Sequence, residues 1–127
     1  MKISHIAIWT AHLERSKAFY CKWFGAIAEN KYINSKTGFE SYFLKFENSQ
    51  CGLEIMTNKH LQEKNPNYQI GLAHFAISVG SNEIVDSMTF TLKENGYGIK
   101  SEPRTTGDGF YESVVADPDG NLVEITV

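Results

Sequence analysis

The chain has 127 residues, 42% hydrophobic and 21% charged, enough for one compact domain or two small modules sharing a core. A net charge of −3, with Lys and Arg scattered, supplies no basic field for a phosphate backbone, so no nucleic-acid partner is expected. No run approaches the roughly 18 to 20 apolar residues that span a bilayer, and the amino end lacks a signal-peptide core; a cytoplasmic protein with no membrane partner is expected.

In chain order, residues 2–9 read as a strand. Residues 12–24 follow as an amphipathic helix with Leu13, Ser16, Ala18, Phe19, Tyr20, Trp23 and Phe24 on its packing surface and Gly25 as its stop. Strand-like runs at 27–33, 40–47 and 51–57 are separated by turn formers at 34–38 and 47–50. The polar stretch 58–69, with Pro66, reads as a linker. A second series follows: strand 71–79, helix 82–95, strands 97–102, 109–116 and 121–127, with the turn Asp117-Pro118-Asp119-Gly120 before the last. Cys21 and Cys51 lack CxxC spacing and read as free, reduced, buried thiols.

The two series are copies of one pattern. Ile3-Ser4-His5-Ile6-Ala7-Ile8 aligns with Leu72-Ala73-His74-Phe75-Ala76-Ile77 at an offset of 69, and Leu53-Glu54-Ile55 aligns with Val123-Glu124-Ile125 at an offset of 70. Ser16, Phe19 and Gly25 recur as Ser87, Phe90 and Gly96. The expected class is therefore α+β: a βαβββ module at 1–57, a linker at 58–69 and a second βαβββ module at 70–127. Their curved mixed sheets each have a face to bury and are expected to pair into a barrel-like cleft.

Strand alternation places His5 on the face of Ile3 and Ala7, and His74 on that of Leu72 and Ala76. Glu54 and Glu124 each point opposite to two aliphatic neighbours. An ionised Glu in an apolar strand is costly without a charge or metal beside it, and here it occurs twice at matched positions. A lone strand His is more often a hydrogen-bonded structural residue than a ligand; the repeated spacing favours a metal site of His5, Glu54, His74 and Glu124. Two imidazoles and two carboxylates suit one divalent ion, and zinc, nickel, manganese, cobalt and iron are all compatible with that ligand set.

At these residues, HIAI with His5, GLEIM with Glu54, LAHFAISV with His74 and FYESVVADPDGNLVEIT with Glu124, the chain resembles the vicinal oxygen chelate superfamily, with glyoxalase I as its nearest enzymatic pattern. The resemblance implies a lyase or isomerase acting on a small molecule with adjacent oxygens. Such an enzyme converts the hemithioacetal of methylglyoxal and a thiol to an S-lactoyl thioester, by proton transfer through a metal-bound enediolate. It implies nickel or zinc as the ion, Glu124, or else Glu54, as the catalytic base, and a homodimer.

The family pattern also directs attention to substrate contacts. Glutathione-dependent glyoxalases commonly carry an Arg four residues after the first ligand His, where this chain has Trp9; the Asn usual four residues after the first Glu is present as Asn58. Trp9 either stacks on a flat substrate or fills a core gap. The turn-rich stretch 101–109 reads as a loop and candidate lid, with Arg104 as an alternative carboxylate contact. His12 and His60 are assigned to no metal. Other functions on this fold are drug sequestration of the bleomycin-resistance type, epimerase or thiol-transferase activity, and extradiol dioxygenase activity at a two-His, one-carboxylate centre.

Overall fold

The computed structural model describes residues 5–59, 61, 74–106 and 109–127. The chain divides into two compact units, Met1–Asn67 and Tyr68–Val127. Of the expected linker 58–69, only Asn58, Lys59 and Leu61 are among the described residues.

In the first unit, β1 (His5–Trp9), α1 (Leu13–Phe24), β2 (Ile27–Ala28), β3 (Tyr32–Asn34), β4 (Phe39–Lys45) and β5 (Gly52–Thr57) form a mixed sheet in the order β1-β5-β4-β2. β3 also pairs with β4, and β1 lies parallel to β5. The helix buries Leu13, Ser16, Phe19 and Tyr20, one stripe at helical spacing, against the sheet face that carries Ile8, Leu44, Leu53 and Ile55. Burying each large apolar side chain contributes about 1.5–3 kcal/mol, and this one-sided core leaves the opposite sheet face uncovered by the helix. Ala18, expected on the packing surface, is exposed, one step off the stripe. Both cysteines are half-buried rather than buried.

The α1 entry is shaped by hydroxyls rather than by its N-cap, His12, whose side chain makes no capping bond. Thr10 Oγ1 accepts the His12 N–H (3.2 Å) and shares a 2.6 Å hydrogen bond with Ser16. At the other end Gly25 takes φ 64°, a left-handed angle that ends the helix, and the Ala26 N–H reaches Tyr20 O at 3.2 Å. The single strand expected at 27–33 is two short ones interrupted at residues 29–31, where Glu29 and Lys31 carry their charges to partners elsewhere.

Lys31 belongs to a network that ties α1 to β4. Glu14 binds Lys17 (2.7 Å) and Lys31 (3.3 Å) and accepts the Tyr42 hydroxyl (2.9 Å), while Lys31 also binds Glu40 at 2.6 Å. These partners, Lys17 first and then Tyr42, hold the Glu14 carboxyl at about 2, below its usual 4.5. A depressed carboxyl adds stability above its unfolded value and loses it on protonation. We therefore expect this contribution to fade as pH falls from 4.5 through about 2. Glu14 is largely exposed, so the effect is modest. Urea midpoints on either side of that window, compared between wild type and Glu14→Gln, check it: the variant should lose less stability on acidification.

In the second unit, β6 (Phe75–Ser78), α2 (Asn82–Glu94), β7 (Ile99–Thr105), β8 (Tyr111–Ala116) and β9 (Leu122–Thr126) give the order β6-β9-β8-β7, with β6 parallel to β9. Val85, Thr89 and Leu92 of α2 are buried with Val115, Val123 and Ile125 of the sheet, and Thr89 meets Ser113 hydroxyl to hydroxyl at 2.6 Å. Ser81 caps the start by accepting the Ile84 N–H. At the end Tyr97 N–H reaches Leu92 O and Gly96 N–H reaches Lys93 O, the paired bonds of a Schellman close.

The strand expected at 97–102 is β7 from Ile99 onward, and the loop expected at 101–109 is displaced by it as far as Thr105, since β7 continues through Pro103. Pro is tolerated because β7 is an edge strand whose pairing with β8 shifts register between Ile99 and Ser101 and again between Ser101 and Arg104. Within the expected lid, residues 107–108 lie outside the described residues.

The β8–β9 turn is built around Asp117, which is 4% exposed. Its Oδ1 accepts the N–H groups of Asp119 (2.9 Å) and Asn121 (2.8 Å), and its Oδ2 accepts Asn121 Nδ2 (2.9 Å). Gly120 takes φ 81°, and its N–H closes on Asp117 O. The α+β class with two mixed sheets and one helix on each is the expected one.

Candidate functional site

Each sheet covers one face with its helix and leaves the other to the candidate residues. In the first unit the parallel register His5↔Gly52, Ala7↔Glu54, Trp9↔Met56 puts His5, Ala7, Trp9 and Glu54 on the face away from α1, while Ile8, Leu53 and Ile55 are buried beneath it. His5 and Glu54 stand on adjacent strands, two residues apart along the register. Phe43 and Ser41 of β4 lie opposite Glu54 and Met56 on the same face. The His5 and Phe43 rings meet edge to face, with centroids 5.2 Å apart.

In the second unit Ala76↔Glu124 and Val114↔Glu124 place the carboxylate at the centre of the equivalent face, between small apolar neighbours. His74 immediately precedes β6, and its Nε2 stands 3.5 Å from Glu124 Oε2. The Glu124 side chain is 15% exposed and that of His74 48%, so a half-sheltered carboxylate is presented beside an accessible imidazole. Each unit thus contributes one imidazole and one carboxylate to one sheet face, a borderline-to-hard donor pair of the kind divalent ions prefer. Among the described residues no group of three or more His, Cys, Asp or Glu side chains stands together as a metal site.

The remaining candidates divide. Trp9 is 41% exposed on the His5 face, edge-on to Phe39 (6.2 Å), which in turn meets Tyr32 (6.0 Å), so it lines an aromatic surface rather than filling the core. Asn58 Nδ2 donates to Thr37 O at 3.5 Å, bracing the β3–β4 turn. Arg104 donates from Nε to Ser101 Oγ (3.2 Å) and stands 3.5 Å from Glu112, opposite it in the β7–β8 register. His12 lies at the start of α1; His60 is outside the described residues. Sequence reasoning passed over Phe43, Phe39, Tyr32 and Glu112. The alternation of β4, carried across from Glu54, held the signal for the aromatic ones.

The model of the Glyoxalase/Bleomycin resistance protein/Dioxygenase superfamily matches residues 2–125. The chain belongs to this superfamily. Among solved structures of similar fold, a glyoxalase family protein from Enterococcus faecalis shares 23% identity over 99% of this chain and 97% of that one, with a TM-score of 0.80. The trypanothione-dependent glyoxalase I of Leishmania major shares 23% identity over 99% of this chain and 86% of that one, with a TM-score of 0.79. Glyoxalase I from Zea mays shares 26% over 98% of this chain, which spans only 44% of the maize chain, with a TM-score of 0.77. No curated protein matches. The superfamily's name covers enzymes and resistance proteins alike, so membership fixes the fold and leaves the reaction to the site. Among the described residues, no helix is long and apolar enough to cross a membrane.

Proposed function

We propose that the chain is a metal-dependent lyase or isomerase of glyoxalase I type, with His5, Glu54, His74 and Glu124 holding one divalent ion, nickel or zinc. The approach of His74 to Glu124, matched by His5 and Glu54 on the equivalent face of the other repeat, carries this proposal. When bound, such an ion supplies Lewis acidity toward two adjacent substrate oxygens.

The protein's own work is proton movement. Glu124 stands between Ala76 and Val114 in the register, with the His74 imidazole beside its carboxylate, placed to act as a general base. Its carboxylate would take the proton from one carbon of the methylglyoxal–thiol hemithioacetal and return it to the neighbouring carbon, giving an S-lactoyl thioester with no net redox change. Glu54 is the alternative base. Trp9, on its aromatic surface, would contact the thiol-bearing part of the adduct; Arg104 would receive a substrate carboxylate only by exchanging Glu112 for it.

An ion held by all four ligands needs one pair from each repeat, and we propose a homodimer that supplies them across two chains. Mixing inactive His5→Ala and His74→Ala chains should then restore activity, since one composite site keeps four native ligands; a site within one chain would stay inactive in the mixture. Elemental analysis of the purified protein, followed by assay of the nickel- and zinc-loaded forms with methylglyoxal plus glutathione or another thiol, tests the activity itself. About one ion per chain with turnover is the expected result. Ion without turnover would redirect the search to other substrates with adjacent oxygens. No ion after reconstitution would favour a sequestering binder, a second function to which the surface of exposed Trp9 and Tyr32 around half-buried Phe39 is suited.

A further inference from the structure

Gly52 has no conformational reason to be glycine: its φ lies outside the left-handed region that excludes side chains. Its neighbourhood supplies the reason. A Cβ at this position would stand 2.5 Å from Phe43 Cε1, 3.2 Å from Phe43 Cδ1 and 3.3 Å from Leu44 O. The Phe43 ring therefore occupies the space that any side chain at position 52 would need.

The strand order explains why this matters. β5 runs between β1 and β4, and strands two places apart in a sheet are separated by about 9.6 Å, too far for their side chains to meet across an occupied middle position. His5 lies directly opposite Gly52 on one side, and Phe43, opposite Glu54 on the other, leans over Gly52 toward it. The two rings meet above the gap, centroids 5.2 Å apart at an interplanar angle of 67°. The second repeat is built otherwise. There the residues corresponding to Gly52 and Phe43 are Leu122 and Val114, so the central strand carries its own side chain at that position and Val114 has no ring to extend over it.

We infer that Phe43, admitted by Gly52, is a positioning residue that fixes the orientation of the His5 imidazole, whereas His74 needs no such brace. The inference rests on His5 being a ligand for its effect on ion binding, but its structural half can be tested without any ion. Phe43→Leu keeps an apolar side chain and removes the aromatic edge; Gly52→Ala keeps Phe43 but displaces its ring; Phe43→Tyr keeps the edge.

The imidazole resonances of metal-free protein, with His5 assigned through His5→Gln, provide the first readout. Phe43→Leu and Gly52→Ala should both move the His5 signal and leave that of His74 in place, and Phe43→Tyr should hold His5 near its wild-type position. Titration with Zn2+ alone is the second readout: affinity should fall roughly tenfold in Phe43→Leu, as when an outer-shell partner of a ligating His is removed, and recover in Phe43→Tyr. Gly52→Ala should cost much less on Phe43→Leu than on the wild type, because the ring contacts at 2.5 and 3.2 Å are then gone and only the 3.3 Å approach to Leu44 O remains. An unmoved His5 signal in Phe43→Leu, or an equal loss from Gly52→Ala in both backgrounds, would overturn the inference. If Gly52→Ala does not fold, the Phe43 pair decides alone. Wild-type protein that binds no Zn2+ refutes the proposed metal function instead, and the resonances still decide the positioning role.

Discussion

Glu124→Gln is expected to lower turnover by roughly 10²–10⁴-fold, the contribution of a positioned general base, with ion content per chain little changed. Glutamine keeps the side chain's length and an oxygen donor at the same place but loses the basicity and the negative charge, a loss of charge that the other three ligands should offset in holding the ion. The strand should tolerate it, since Val123 and Ile125, which anchor β9 to α2, point the other way and are fully buried. His74→Ala should do the opposite: with the imidazole that stands 3.5 Å from Glu124 gone, both the ion and the activity are lost. Metal content and turnover measured on the same preparations separate the two outcomes. Wild-type turnover in Glu124→Gln would move the base to Glu54.

Asp117→Ala should destabilise the protein by about 3 kcal/mol, because a nearly buried carboxylate that accepts three hydrogen bonds is removed and its donors are left to find water. Asp117→Asn, which keeps one acceptor oxygen for the backbone N–H groups, should cost less than half as much. The effect extends to chemistry. The turn sets the pairing that begins at Ala116↔Leu122 and places Glu124 opposite Val114; a slip of one residue would turn Glu124 toward α2 and Ile125 outward. Urea denaturation reads the first effect, and Zn2+ affinity of the folded fraction reads the second. An unchanged denaturation midpoint in Asp117→Ala would remove the turn from any role in register.

Both helices and most of the succession of strands along the chain were legible in the sequence because they repeat: a helix at 12–24 was expected and Leu13–Phe24 is found, one at 82–95 and Asn82–Glu94. The alternation around His5, Glu54 and Glu124 also translated directly, because Ile8, Leu53, Ile55, Val123 and Ile125 needed a core and could take only one face. What escaped was pairing across strands. Nothing local in Pro103-Arg104-Thr105 marks a strand, and its extended form comes from β8 alongside, with two register shifts absorbing the proline. Likewise the break at 29–31 has no local mark; there Glu29 pairs with Lys45 and Lys31 with Glu14 and Glu40, residues distant in sequence. The engagement of Arg104 by Glu112, and of Phe43 with Gly52, needed the register itself.

Pro103 has a consequence for the behaviour of many molecules at once. β7 forms one margin of its sheet, and a margin with a regular row of N–H and C=O groups is a template on which other chains can polymerise. The imino ring removes one donor, and the two register shifts bend the rest out of line, so a foreign strand finds no continuous ladder to extend. One residue thereby makes this margin a poor template for association, a consequence for the population of molecules rather than for any single fold.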